Sequence, residues 1–272
     1  MDAQSGYADI NGAKIYYEMA GQGHPAVFIH AWIADNTMWD GQFLEFSKHY
    51  RTIRYDNRGF GNTEPVDAEF SPREDLYALL KTLDVDRTFL IGCSNGGGIS
   101  MDFALEHPDM VDALVMVSSG PSGLRLEVEE PPQQSEAEAA YKARDWERLL
   151  ELETQVWIDG RGRTADQVDP KVRAHAMQMN RKVMAHEAKG LGKYKPGLQP
   201  PAVERIHELH LPVLIIYGDR DEAFAIAAAD YMEKHIAGVK KVAIHNTAHL
   251  PSLEVPAEFN RVVLDFLKGI SG

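Results

Sequence analysis

The residues best suited to chemistry are Gly92-Cys93-Ser94-Asn95-Gly96. An apolar run at 88–92 leads into them and a helix-forming stretch follows. A strand that turns sharply into a helix crowds its flanks, so glycines there make room and the central Ser94 hydroxyl is lifted clear of the backbone. Ser94 then stands at a helix N-terminus, where free N–H groups and the dipole stabilise negative charge. A serine hydroxyl is a weak nucleophile until a base takes its proton. In such turns the partners follow in the order Ser, Asp or Glu, His. Among 11 histidines, His249 is placed for the role, in a loop at 246–250 just after the last expected strand. That is the same carboxyl edge as Ser94. His30 and His245 also end strands, but His30 is expected to shape a turn and His245 ends its strand too early. For the acid, Asp219 and Asp221 both follow the strand at 213–217, and position alone does not choose between them.

These side chains need a scaffold that brings strand ends together. Residues 7–18 read as a hairpin around Asn11-Gly12, a tight-turn pair. Strands are expected at 26–30, 53–56, 88–92 and 113–117. Between them Ser71-Pro72-Arg73-Glu74 starts a helix, with Ser71 as cap, Pro72 in the first turn and Glu74 completing a capping box. Leu76, Leu79, Leu80 and Leu83 give that helix its buried stripe. Near-continuous apolar strands alternating with helices predict an α/β fold, a mostly parallel sheet with helices on both faces. The alternation stops at Gly120-Pro121 and resumes with a strand at 213–218, a helix near 225–236, a strand at 242–245 and a closing helix at 256–268. Residues 122–206 contain no convincing strand. Stretches at 136–141, 146–157 and 172–189 are helical in composition, so this is an all-helical insertion into a core of 1–121 and 207–272.

Composition sets the outer limits. The 272 residues are 44% hydrophobic and 25% charged, as in an ordinary folded domain. One cysteine, Cys93, excludes a disulfide framework, and its position before the turn predicts a small buried hydrophobe. No apolar run approaches the roughly 18 residues of a membrane helix, and the first ten residues have no signal-peptide character, so a cytoplasmic address is expected. A net charge of −13 argues against nucleic-acid and membrane partners. Within the insertion, 122–160 carries −6 (4 basic, 10 acidic) and 161–206 carries +6 (10 basic, 4 acidic). These are solvated faces, or two halves that face each other, or a basic rim for anions. His207 and His210 do not have the spacing of a zinc helix, so no metal is expected.

With these residues in view, the chain resembles the α/β-hydrolase superfamily, in particular its small capped esterases, lactonases and perhydrolase-like members. The resemblance runs through His30-Ala31-Trp32, residues 55–61, the Gly92–Gly96 turn, Gly218-Asp219-Arg220-Asp221 and Ala248-His249-Leu250-Pro251. Ala31 replaces a usual Gly, Thr63 a common Ser, and a Val-Pro usually found after the acid is missing. The family's G-x-x-D pattern implies Asp221 as the acid. It also implies an oxyanion hole from the N–H groups of Trp32 and Asn95, and an insertion that caps the site. Serine rather than aspartate at the turn disfavours the dehalogenase and epoxide hydrolase members. The resulting expectation is a serine hydrolase of small to medium carboxylic esters, with Ser94, Asp221 and His249 catalytic and no cofactor. His30, Trp146, Trp157 and Met184 are candidate pocket residues. Lactone or carbon–carbon bond hydrolysis of a diketone acid, a perhydrolase side activity, and a ligand-binding protein that retains the same residues are the alternatives. The partner is a small-molecule ester, and a homo-oligomer stays open.

Overall fold

The computed structural model describes residues 3–270; the expected core segments run beyond these by residues 1–2 and 271–272. Among the described residues, strands β1 (Gln4–Ile10), β2 (Ala13–Ala20), β3 (Pro25–Ile29), β4 (Arg51–Tyr55), β6 (Thr88–Cys93), β7 (Val111–Val117), β9 (Val213–Gly218) and β10 (Lys240–Ile244) form one sheet. Its order is β1-β2-β4-β3-β6-β7-β9-β10. β1 and β2 pair antiparallel, β2 is antiparallel to β4, and the rest is parallel. The hairpin closes on Asn11 (φ 47°) and Gly12 (φ 81°), the two left-handed residues such a tight turn needs. A further pair of two-residue strands, β5 (Glu69–Phe70) and β8 (Lys193–Tyr194), lies apart from this sheet.

The strand order reverses at β3. The chain steps outward from β3 to β4, then returns to place β6 on the other side of β3. In open α/β sheets the crevice at such a reversal, beyond the carboxyl ends of the strands, is where ligands bind. β3 ends in His30-Ala31-Trp32 there, and β6 ends beside it at Ser94. The helices pack this sheet on both sides. α2 (Pro72–Thr82), α3 (Asn95–Glu106), α7 (Ala202–Arg205) and α8 (Ala223–His235) bury Leu76, Leu80, Ile99, Phe103, Ala202 and Met232 in one core layer. α1 (Asp40–Phe46) and α10 (Pro256–Lys268) bury Phe46, Phe259 and Val263 in the other, and α9 (Pro251–Glu254) precedes α10. Ser71 caps α2 by accepting from the Glu74 N–H at 3.4 Å. The Glu74 carboxylate does not complete the expected capping box, because Lys195 Nζ takes it at 2.6 Å.

Between β7 and β9 the chain forms α4 (Gln134–Ala143), α5 (Trp146–Thr154), a wide π-turn at Gln155–Asp159 and α6 (Pro170–Glu187). Ala140, Leu149, Leu150, Leu152 and Met184 make a small core of their own here. The acidic and basic halves of the insertion face each other. Arg173 bonds Glu151 at 2.8 Å and Asp159 at 3.0 Å, and Arg181 bonds Glu147 at 3.0 Å. Two expectations need correction. The insertion is not purely helical, because β8 pairs with β5. That strand is two exposed residues long, too short to leave an apolar run, and is marked instead by the Tyr194 ring packing on Phe70 at 4.7 Å. The insertion also ends before 206 as a packing unit, since Leu198, Ala202 and Ile206 belong to the core layer beneath α3. Among the described residues, no helix is long and apolar enough to cross a membrane.

Candidate active site

Ser94 sits between β6 and α3 with φ 53° and ψ −117°. A non-glycine residue in that region stores about 1–3 kcal/mol of strain, which the surroundings must hold in place. Here the Ser94 N–H donates to Val117 O at 2.8 Å, and the Ser94 carbonyl accepts from Gly97 N, Gly98 N and the Ser119 hydroxyl, the last at 2.6 Å. Glycine is required on both flanks. A Cβ on Gly92 would lie 2.3 Å from Gly96 O, and one on Gly96 would lie 2.2 Å from Ile29 O. As the first residue of α3, Asn95 directs its N–H outward without a partner inside the helix. Cys93 is fully buried, with Sγ 3.6 Å from His249 O, and burial pushes its thiol well above the usual range. It packs as a small hydrophobe.

The structure separates the two candidate acids. His249 Nδ1 meets Asp221 Oδ1 at 2.9 Å and Oδ2 at 3.1 Å, with both side chains buried. Asp219 turns the other way. It accepts from Asn246 N and meets the exposed His245 ring, each at 2.7 Å. Burial alone would drive the His249 imidazole down. The charge and hydrogen bond of Asp221, with the charge of Glu222 behind them, outweigh burial and hold it above the ordinary histidine value. The Trp157 ring lies 4.5 Å from the imidazole, and the Trp157 carbonyl accepts from His249 N at 3.1 Å.

Ser94, Asn95 and His249 line one cavity of about 520 Å³, within the roughly 300–1,000 Å³ usual for small-molecule sites. The α3 face bearing Gly98, Ile99 and Asp102 forms one wall, and Phe224 and Ala225 of α8 contribute another. From the insertion come Trp157, Tyr194, Lys195 and Gly197. Trp32 follows β3, its indole packed on Phe60 at 5.4 Å and Tyr194 at 5.8 Å. Of the four expected pocket residues, Trp157 alone lines this cavity. His30 is fully buried, its Nδ1 bonded to Ala31 O at 2.8 Å and its Nε2 accepting from Asn57 N at 3.0 Å. It pins the loop that carries Trp32. Trp146 packs edge-on against Tyr141, and Met184 lies in the insertion's own small core. Both pack within the insertion rather than against Ser94.

Sequence reasoning missed Ser119, Glu222 and Tyr194. Glu222 was legible in principle, since a carboxylate just before an apolar helix is a capping signal. It accepts from Phe224 N and Ala225 N at the start of α8. Ser119 and Tyr194 carried no such signal, because their roles depend on which strands and turns meet in space. Among the described residues, no group of three or more His, Cys, Asp or Glu side chains is arranged to hold a metal ion.

Comparison with known proteins agrees with the geometry at the level of family. A family model described as alpha/beta hydrolase fold matches residues 25–256. A putative 2-succinyl-6-hydroxy-2,4-cyclohexadiene-1-carboxylate synthase of Bacillus subtilis (strain 168) is 28% identical, over 94% of this chain and 96% of that protein. A pimeloyl-[acyl-carrier protein] methyl ester esterase of Nitrosomonas europaea is 24% identical, over 91% and 97%. The solved structure of Est816, described as an N-acyl homoserine lactone degrading enzyme, superposes with a TM-score of 0.77 at 26% identity, covering 96% of this chain and 99% of that one.

Proposed function

We propose, from the premise that this chain belongs to the alpha/beta hydrolase fold family, that it is a serine hydrolase of small to medium carboxylic esters. The observation that carries the reading is the buried Asp221–His249 pair, 2.9 Å apart, whose imidazole lines one cavity with a Ser94 held in a strained strand–helix turn. In this reading Asp221 keeps the His249 proton on Nδ1, which leaves Nε2 free to take the Ser94 proton as Oγ attacks the ester carbonyl. The N–H groups of Asn95 and Trp32 receive the oxyanion, each worth about 3 kcal/mol in comparable sites. His249 then returns its proton to the leaving alcohol, and water repeats the sequence on the acyl-enzyme. The insertion acts as a cap that limits what enters. No metal or cofactor takes part in these steps, and a cytoplasmic address goes with the reading.

The test is covalent. A fluorophosphonate probe should leave one adduct, on the Ser94 peptide by mass spectrometry, and hydrolysis of a p-nitrophenyl ester should vanish with labelling in Ser94→Ala. A parent protein that neither labels nor turns over would instead be a binding protein built on the same residues. Lactone hydrolysis by the same three residues is the second reading. It is favoured by the likeness to the lactone-degrading Est816 at 26% identity. A panel of esters and lactones ranks the two by kcat/KM.

A further inference from the structure

We infer that Arg163 and Glu254 act together as a positioning pair for His249, by which the insertion fastens the loop that carries the base; this rests on His249 being the base proposed above. Their side chains are 5% and 8% exposed and meet at 2.7 Å, Arg163 Nη1 to Glu254 Oε2. The guanidinium is used on both sides of the contact. Its Nε donates to Asp159 O at 2.6 Å and its Nη2 to Ile158 O at 2.7 Å, both in the π-turn of the insertion. Its Nη1 also donates to Asn246 O at 2.6 Å, in the His249 loop. Glu254 completes the circuit, because its Oε1 accepts from Ala248 N at 2.6 Å. The residue before His249 and the residue three before it are therefore both held by one ion pair.

The same stretch of insertion reaches the acid. Arg161 N donates to Arg220 O at 2.7 Å, next to Asp221. Gly160 approaches so closely that a Cβ there would lie 2.5 Å from Arg220 O and 2.6 Å from the Ala248 methyl. With the Trp157 carbonyl on His249 N at 3.1 Å, residues 157–163 hold the acid loop and the base loop against each other. A desolvated ion pair is a poor way to gain stability, since a well-packed apolar pair of similar volume is often as good or better. What an arginine fork supplies is direction, because its donors lie in one plane and fix several acceptors together. The base needs that: a displacement of about 1 Å at the reacting groups can cost on the order of 10²-fold in rate.

The experiment compares Arg163→Gln and Arg163→Lys with the parent, using p-nitrophenyl acetate and the downfield proton resonance of His249 Nδ1–H. In Arg163→Gln, kcat should fall about 10- to 100-fold while KM stays within about threefold, and the resonance should broaden or vanish. Arg163→Lys keeps a cation beside Glu254 but reaches fewer carbonyls, so it should restore part of kcat and part of the resonance. A folded Arg163→Gln with parental kcat and an unchanged resonance overturns the inference. If Arg163→Gln does not fold, Arg163→Lys decides: lowered kcat at parental KM supports the pair, and parental kcat with an unchanged resonance overturns it. A parent that shows the resonance but no turnover counts against the hydrolase reading, and the loss of that resonance in the variants then reports the positioning role independently.

Discussion

At the scale of single residues, the site is defined by which atoms each carboxylate can reach. Asp221 meets His249 and Asp219 meets His245, so the two aspartates are not exchangeable despite being two apart. Asp221→Asn should fold and lose kcat on the order of 10⁴-fold, because an amide favours the wrong imidazole tautomer. Asp219→Asn should cost far less, and the reverse ranking by steady-state kinetics would contradict the assignment. The same pair sets a pH profile. Acting as the proposed base, His249 must be neutral, so kcat/KM should fall as pH drops through the imidazole pKa of the free protein. Burial opposes charge on the ring, but Asp221 and then Glu222 outweigh it and raise that pKa. The acidic limb should therefore lie above the ordinary histidine value of about 6.5. Removing an anion lowers it, so Glu222→Gln should move the limb to lower pH. A limb below the ordinary value in the parent, or an upward shift in Glu222→Gln, would contradict the account.

At the scale of elements, the turn at Ser94 depends on glycines that let backbones touch. A Cβ on Gly96 would meet the Ile29 carbonyl at 2.2 Å, and a β3 backbone atom cannot swing aside as a flexible side chain can. Gly96→Ala should cost about 3 kcal/mol in urea unfolding, at the upper end for overpacking. Gly197→Ala, whose Cβ meets nothing within 4 Å, should stay within about 0.5 kcal/mol. These close approaches also explain what was legible in the sequence. The turn announced itself through Gly92 and Gly96, and β9 and α10 were readable to their ends because apolar runs and a leading proline mark them. The expectation for Ser94 and His249 rests on strand ends at one edge, and the structure places both on one cavity. The choice of Asp221 over Asp219 needed the family pattern, since both side chains follow the same strand. Arg163, Ser119 and Tyr194 left no periodic or capping signal at all. Arg163 gains its meaning from carbonyls at 158, 159 and 246, and no local pattern encodes a contact across 83 residues.

At the scale of the whole molecule, an insertion built on its own small core lends part of its surface to a cavity beside Ser94. Of the side chains it contributes to the cavity, Trp157 and Tyr194 stand in different relations to the proposed base. Trp157 lies against the His249 ring, so Trp157→Ala changes both the cavity wall and the surroundings of the proposed base. Tyr194 lines the cavity but packs on Trp32 and Phe70 rather than on the His249 ring. Tyr194→Ala therefore enlarges the space while leaving the Asp221–His249 contact in place. Short acyl esters should outrun long ones in the parent, because about 520 Å³ must hold the acyl chain and the leaving group together. In Tyr194→Ala the acyl length of highest kcat/KM should rise, with kcat on the shortest ester little changed. Trp146 and Met184 serve as the contrast. Met184 is buried and Trp146 half-buried within the insertion, so Met184→Ala should cost about 2–5 kcal/mol of stability through cavity formation, Trp146→Ala less, and both should leave the chain-length preference where it was. A Tyr194→Ala profile that matches the parent, or a shifted preference in Met184→Ala, would mean that a surface other than this cavity wall sorts the substrates.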